Sequence, residues 1–72
     1  MKKFIIEAKD MNEHTYQIDE YDTKQQAIGG LKLERAWLAA SDMIKITDLG
    51  KNKFRADNAK YGDWAEYYIK EK

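Results

Sequence analysis

Few side chains in this 72-residue sequence are placed to carry out catalysis. The single histidine, His14, lies in a polar segment without a cysteine, a serine or a second histidine beside it. A catalytic histidine needs an oriented partner group. We therefore expect His14 to be a solvated loop residue, and we expect the protein not to be an enzyme.

Carboxylates gather before the predicted helix, at Asp19, Glu20 and Asp22. Such a group could hold a metal ion or act as a general acid and base. Hard-cation loops, however, arrange their ligands around a sharp glycine turn, which this segment lacks. Gly29-Gly30 does not follow a strand in a phosphate-binding pattern either. We expect no metal site and no cofactor, and we interpret the carboxylates as the solvated end of a strand that leads into a helix cap.

Size and composition limit the architecture. A chain of 72 residues without cysteine is expected to form one domain, over residues 1–72, without disulfides or a thiolate metal site. The formal net charge is zero, so the protein as a whole is neither a polyanion nor a polycation.

Glu7, Lys9 and Asp10 interrupt the apolar run that begins near Met1, so we expect no secretory signal, and we expect no membrane span. The predicted location is the cytoplasm of a bacterial host cell.

Hydrophobic periodicity predicts an α+β fold of order β-β-α-β-β-β, which is one antiparallel sheet of about five strands with a helix packed on one face. Alternation of apolar and polar residues places a first strand around Ile6 and Ala8 and a second strand over Thr15–Tyr21. We expect Ala8 to pair with Tyr16 and Ile6 to pair with Ile18. In that register Tyr16 and Ile18 face the core.

The helix is predicted to begin after Thr23, because Gln26 three residues later completes a capping box. At Gly29-Gly30 the helix either bends or is approached closely by another segment. One apolar stripe is expected to lie on the sheet, and a second apolar strip lies on another side of the helix. The first consists of Ala27, Ile28, Leu31 and Leu38, and the second consists of Leu33, Trp37 and Ala40. Since so small a domain offers the second strip no cover, we expect it to form a homodimer contact or to bind another protein.

A second hairpin is predicted after the helix. We expect Ile46 to pair with Phe54 across a short loop that contains a glycine, with the apolar residues of both strands on one face. The other face then carries Lys45 opposite Arg55, and Lys53 nearby. Like charges directly opposite each other are mildly destabilising. We therefore interpret these three cations as side chains held for a partner.

The last strand is predicted to begin at Trp64, where aromatic and β-branched residues alternate with polar ones. If Tyr67 and Ile69 face the helix, Trp64 and Tyr68 emerge beside the three cations. Two alternatives stay open. A shift of this strand by one residue would bury Trp64 and Tyr68, and the segment could instead form a short helix capped by Asp63.

The candidate partner-binding residues, which we name the cationic–aromatic cluster, are Lys45, Lys53, Arg55, Trp64 and Tyr68. Tryptophan, tyrosine and arginine are the side chains that protein interfaces use as anchors. Aromatic rings among cations also suit stacking on single-stranded nucleic acid. The cluster therefore predicts a protein-binding surface or, alternatively, a small nucleic-acid-binding module.

The helix opens on Gln26-Ala27 and is followed by an Ile44–Ile46 strand, a glycine turn, a basic-aromatic return strand and a terminal strand with Trp64. In this order of elements the chain resembles the small phage-encoded α+β anti-CRISPR proteins, in particular the short inhibitors of type I-F surveillance complexes. The resemblance implies a non-enzymatic protein of phage or mobile-element origin. Such a protein would bind the Cas backbone of a CRISPR-Cas complex and inhibit it by steric occlusion of the surface where target DNA lies. The contact residues that it implies are those of the basic hairpin: Lys45, Lys53 and Arg55.

Overall fold

Six elements appear in the predicted order, in a computed structural model that describes residues 3–72. Met1 and Lys2, the start of the apolar run considered above, lie outside the described residues. The elements are β1 (Phe4–Asp10), β2 (Thr15–Tyr21), α1 (Lys24–Ala39), β3 (Ile44–Gly50), β4 (Lys53–Asn58) and β5 (Trp64–Glu71). The predicted α+β class is confirmed, and the C-terminal segment is a strand rather than a helix.

The five strands form one antiparallel sheet in the order β2-β1-β5-β4-β3. The last strand of the sequence, β5, lies in the centre, where it pairs with β1 on one side and with β4 on the other. The strands β2 and β3 form the two edges. Among residues 3–72, the strands of the two hairpins are thus connected within the sheet only through β5.

The helix starts where the sequence predicts. The Oγ1 atom of Thr23 accepts a hydrogen bond from the backbone N–H of Gln26 at 3.2 Å, and the Oε1 atom of Gln26 accepts one from the N–H of Thr23 at 3.3 Å. This reciprocal pair satisfies two of the donors that a helix N-terminus leaves free. The helix then continues through Gly29-Gly30. Within residues 3–72, no helix has the length and apolar character to cross a membrane.

The core lies between α1 and the sheet. Its buried centre consists of Ile6, Leu31, Phe54 and Ala56, and partly buried residues around it are Tyr21, Leu38, Ile44, Ile46, Tyr67 and Ile69. The rings of Phe54 and Tyr67 stack with centroids 4.9 Å apart and planes within 9° of each other. This contact joins β4 to β5 directly beneath the helix. The predicted sheet-facing stripe of the helix is therefore correct.

The prediction that Tyr16 and Ile18 face into the core was wrong. Both are exposed, by 52% and 42%. The pairing of β1 with β2 shifts by one residue between Ile6 and Glu7, so Ile6 lies opposite Asp19 and only the Ala8–Tyr16 pair matches the expected register. In addition, one helix about 10 Å in diameter cannot cover a five-stranded sheet about 19 Å wide. The edge strand β2 is left partly bare.

The predicted register of the second hairpin was also wrong, by two residues. Ile46 pairs with Ala56 rather than Phe54, and Lys45 pairs with Asp57 rather than Arg55. The turn lies at residues 51–52, closer to β4 than the loop we expected, and the strand pairing shifts between Asp48 and Gly50 just before it. These two features move the register. A shift of two residues keeps every side chain on its predicted face, because strand side chains alternate with period two. The like-charge pair that motivated our interpretation is absent.

Replacement of Leu31 by alanine tests the position of the core. Leu31 is only 5% exposed beneath the sheet, and truncation of a buried leucine costs roughly 2–5 kcal/mol. Leu33→Ala is the matched control, since Leu33 is 75% exposed on the same helix and should change stability by less than about 0.5 kcal/mol. Urea unfolding of dilute protein measures both. Equal losses in the two variants would show that the helix presents a different face to the sheet.

Alanine substitutions at the two adjacent helix glycines, Gly29 and Gly30, form a second pair of matched variants. A Cβ atom on Gly30 would lie 2.2 Å from the Oη of Tyr21, whereas one on Gly29 would meet no heavy atom within 4 Å. Gly29→Ala should therefore raise stability by about 0.4–1 kcal/mol, because alanine restricts the unfolded chain. Gly30→Ala should lower it, since the Tyr21 ring must move. Thermal unfolding of dilute protein measures the stability of both variants. A gain in stability from both substitutions would refute the close approach of Tyr21 to the helix.

Candidate functional site

The cationic–aromatic cluster lies on the sheet face opposite the helix, which we name the open face. On the helix side, Tyr67 pairs with Phe54 and Ile69 pairs with Ile6. Alternation along β5 therefore places Trp64 and Tyr68 on the open face. The predicted orientation of β5 is confirmed, and the alternative in which Trp64 and Tyr68 enter the core is wrong.

Arg55 and Trp64 form the centre of the cluster. The guanidinium carbon of Arg55 lies 4.4 Å from the centroid of the Trp64 ring, within the range of a cation–π contact. The same guanidinium donates hydrogen bonds to Asp57, at 2.9 Å from its terminal nitrogen and at 3.1 Å from Nε. Arg55 is thereby held between a ring and a carboxylate. Both Trp64 and Arg55 are partly buried by these contacts.

Lys53 on β4 and Tyr68 on β5 are a cross-strand pair and form a second contact within the cluster. The Nζ atom of Lys53 lies 5.7 Å from the Tyr68 ring centroid and 3.3 Å from a carboxylate oxygen of Glu66. The Tyr68 hydroxyl donates a hydrogen bond to Glu7 on β1. Tyr68 is thus fixed from both sides, by a cation against its ring and an acceptor at its hydroxyl.

Lys45 differs from the other two cations of the cluster. Lys45 is on the edge strand β3 and lies opposite Asp57 of β4. Asp57 forms its ion pair with Arg55, and Lys45 forms no ion pair within residues 3–72. Its ammonium group is therefore available to a partner. Lys53 and Arg55, by contrast, each form an ion pair with a carboxylate of the open face.

The sequence interpretation missed the carboxylates of the open face, which are Glu7, Asp57 and Glu66. The signal was present, because alternation along β1, β4 and β5 places all three on the side opposite the core. Across the sheet, Arg55 lies opposite Glu66, which in turn lies opposite Lys9. The face therefore carries a pattern of alternating charges rather than a cationic patch, and opposite charges in cross-strand positions stabilise a sheet.

A groove of about 390 Å³ lies beside Trp64 at one end of the open face. It lies between β5 and the turn that joins β1 to β2, and its lining includes Lys9, Met11, Glu13 and Glu66. Met11 is 45% exposed. The groove offers a partner side chain an apolar contact with charges of both signs at its rim.

The other residues considered for chemistry lie elsewhere. His14 is exposed, with Nδ1 3.6 Å from a carboxylate oxygen of Asp10. Asp10 also accepts hydrogen bonds from the N–H groups of Asn12 and His14, so this carboxylate closes the turn. Asp19 accepts a hydrogen bond from the Tyr21 hydroxyl, and Glu20 binds the Lys72 ammonium at 2.9 Å. These contacts assign structural roles to the acidic segment.

No protein-family model, no curated protein and no solved structure matches this chain. The resemblance to anti-CRISPR inhibitors stays a prediction.

The Tyr68–Glu7 hydrogen bond predicts a loss of stability at high pH. This bond, with burial and the nearby carboxylates of Glu7 and Glu66, raises the pKa of Tyr68 from 10.0 to about 12. The folded protein thus prefers the neutral phenol. The resulting stabilisation is complete below the unfolded pKa near 10 and is lost as pH rises through the folded pKa near 12. Urea unfolding at about pH 9 and about pH 11 should show a smaller loss for Tyr68→Phe than for the wild type. Identical losses would contradict the assigned role of Glu7, since the two proteins differ only in the phenol of Tyr68.

Proposed function

We propose that the protein is a non-enzymatic binding protein whose open face contacts another protein. The observation that carries this proposal is the stacking of Arg55 on Trp64, together with the fixation of Tyr68 between Lys53 and Glu7. Aromatic and arginine side chains dominate the energy of protein interfaces. Side chains that are ordered before binding lose little conformational entropy when a partner arrives. The open face therefore presents anchors that are already in place.

The charge pattern favours a protein partner over nucleic acid. A nucleic-acid surface neutralises phosphates with cations that release counterions on binding. Here Lys53 and Arg55 are already neutralised by Glu66 and Asp57. A surface with alternating charges instead selects a complementary protein surface, because wrong partners meet like charges.

The class of partner follows from the resemblance described above. In this proposal the protein is of phage or mobile-element origin, and it inhibits a host CRISPR-Cas surveillance complex by steric occlusion. The open face is the contact surface, and Lys45, Trp64 and Tyr68 are its principal contact residues. No chemistry on the partner is needed, because a sheet face that covers the site of target binding suffices for inhibition.

The helix offers a second surface of association, at Leu33 and Trp37, which are 75% and 78% exposed. We propose that this surface serves protein association as well, since exposed apolar residues of this size mark contacts.

Substitutions on the open face test the proposal. Lys45→Glu reverses a cation that forms no ion pair within residues 3–72. The new carboxylate would lie across from Asp57, which Arg55 still neutralises, so the fold should stay intact. Reversal of Lys53 or Arg55 would in addition remove an existing ion pair. Lys51→Glu, in the exposed turn after β3, is the control with the same change in charge. Tagged proteins are compared for capture of Cas components from lysates of bacteria with a type I-F system. Capture by wild type and Lys51→Glu, with loss in Lys45→Glu, is expected.

Trp64→Ala measures the anchor directly. Loss of a central aromatic anchor should weaken partner affinity by at least about 2 kcal/mol, with the fold checked by circular dichroism. Direct binding to single-stranded and double-stranded DNA at low salt tests the nucleic-acid alternative. Strong, steeply salt-dependent DNA binding would contradict a protein partner, as would full capture by both Lys45→Glu and Trp64→Ala.

A further inference from the structure

Trp37 has the most exposed large apolar side chain of the helix, and it lies two turns from a groove on the same helix side. The groove has a volume of about 550 Å³, and its lining includes Tyr21, Asp22, Gln26, Gly29, Gly30 and Leu33. The space above Gly29 is empty, since a Cβ there would meet no heavy atom within 4 Å. Trp37 is 78% exposed. The helix therefore carries a large apolar knob and an open groove about 12 Å apart.

The knob and the groove are arranged symmetrically. Gly29, Leu33 and Trp37 are spaced by four residues and form one ridge along α1. Leu33 lies at its midpoint. A two-fold axis through Leu33, perpendicular to the helix, brings position 37 of one copy opposite position 29 of the other, and the reverse. Trp37, the largest side chain of the ridge, then lies opposite Gly29, which has no side chain.

We propose that α1 forms an antiparallel homodimer in which Trp37 of each copy fills the groove over Gly29 of the other. This dimer surface is separate from the open face, and the proposal rests on the proposed association through the helix. The occupant of the groove is a second copy of the chain, because one side of the molecule carries both the knob and a groove that receives it.

Charge and size are compatible with this arrangement. The ridge and its neighbours Ala36 and Ala40 carry no charge. The carboxylates at the groove, Asp19, Glu20 and Asp22, lie on its wall and meet an uncharged indole in this arrangement. At the groove, the exposed carboxylate of Asp22 can accept a hydrogen bond from the indole N–H of the incoming Trp37. A standard interface covers roughly 800 Å² on each partner. Leu33 and Trp37 alone supply less than that, and the groove walls supply further area.

Sedimentation equilibrium of the full chain between about 10 μM and 1 mM tests the proposal. The wild type should dimerise in this range. Trp37→Ala removes the knob and should weaken association at least about 30-fold, the effect of losing an interfacial anchor. Gly29→Trp fills the groove and should have the same effect. Tyr61→Ala is the control, because Tyr61 is an aromatic residue 67% exposed outside this ridge, and its dimer should be unchanged.

A mixture of the two disrupted variants tests the antiparallel geometry. In an equimolar mixture, Gly29→Trp offers two indoles and Trp37→Ala offers two gaps, so a heterodimer should form although each variant alone is monomeric. A monomeric wild type up to 1 mM, a dimer unaffected by Trp37→Ala, or a failure of the mixture to associate would overturn the proposal. Capture of a partner through the open face is measured separately, so either proposal can fail without the other.

Discussion

Both hairpins depend on β5, the last strand of the chain. Its helix-facing residues complete the core, because Tyr67 stacks on Phe54 and Ile69 lies opposite Ile6. Its other residues, Trp64 and Tyr68, form the aromatic part of the open face. Since β1 and β4 do not pair with each other, removal of β5 would leave two hairpins without strand pairing between them, held together chiefly by α1. A two-stranded hairpin is at best marginally stable in water. The fold and the candidate site therefore form together, when β5 inserts.

Because a single helix packs on five strands, much of the sheet surface is left open to solvent. The helix covers the middle of one sheet face, and within residues 3–72 no helix or strand packs against the other face. A bare face must remain compatible with water while it keeps its strands paired, and alternating charges achieve both. The same pattern orders Arg55, Trp64 and Tyr68 before any partner binds. Here the structural requirement and the proposed function use the same side chains.

Local patterns in the sequence predict the elements and their faces well. The capping box at Thr23 and Gln26, the helix stripe around Leu31 and the orientation of β5 are correct because each depends on neighbours in the chain. Cross-strand register was not predictable to the same degree. The turn after β3 and the register shift in β1–β2 each moved the pairing, because turn position depends on small local preferences. The shift by two residues left Lys45 on its expected face but changed its neighbour from Arg55 to Asp57, which altered the electrostatic interpretation of the whole site.

Native-state hydrogen exchange tests the central position of β5 most directly. We expect amides in the middle of β5, such as those of Tyr67 and Tyr68, to exchange only through global unfolding, with the free energy measured in denaturant. Amides of the edge strand β2 should exchange faster, through local opening. Exchange from β5 as fast as from β2, while β1 and β4 stay protected, would contradict the account.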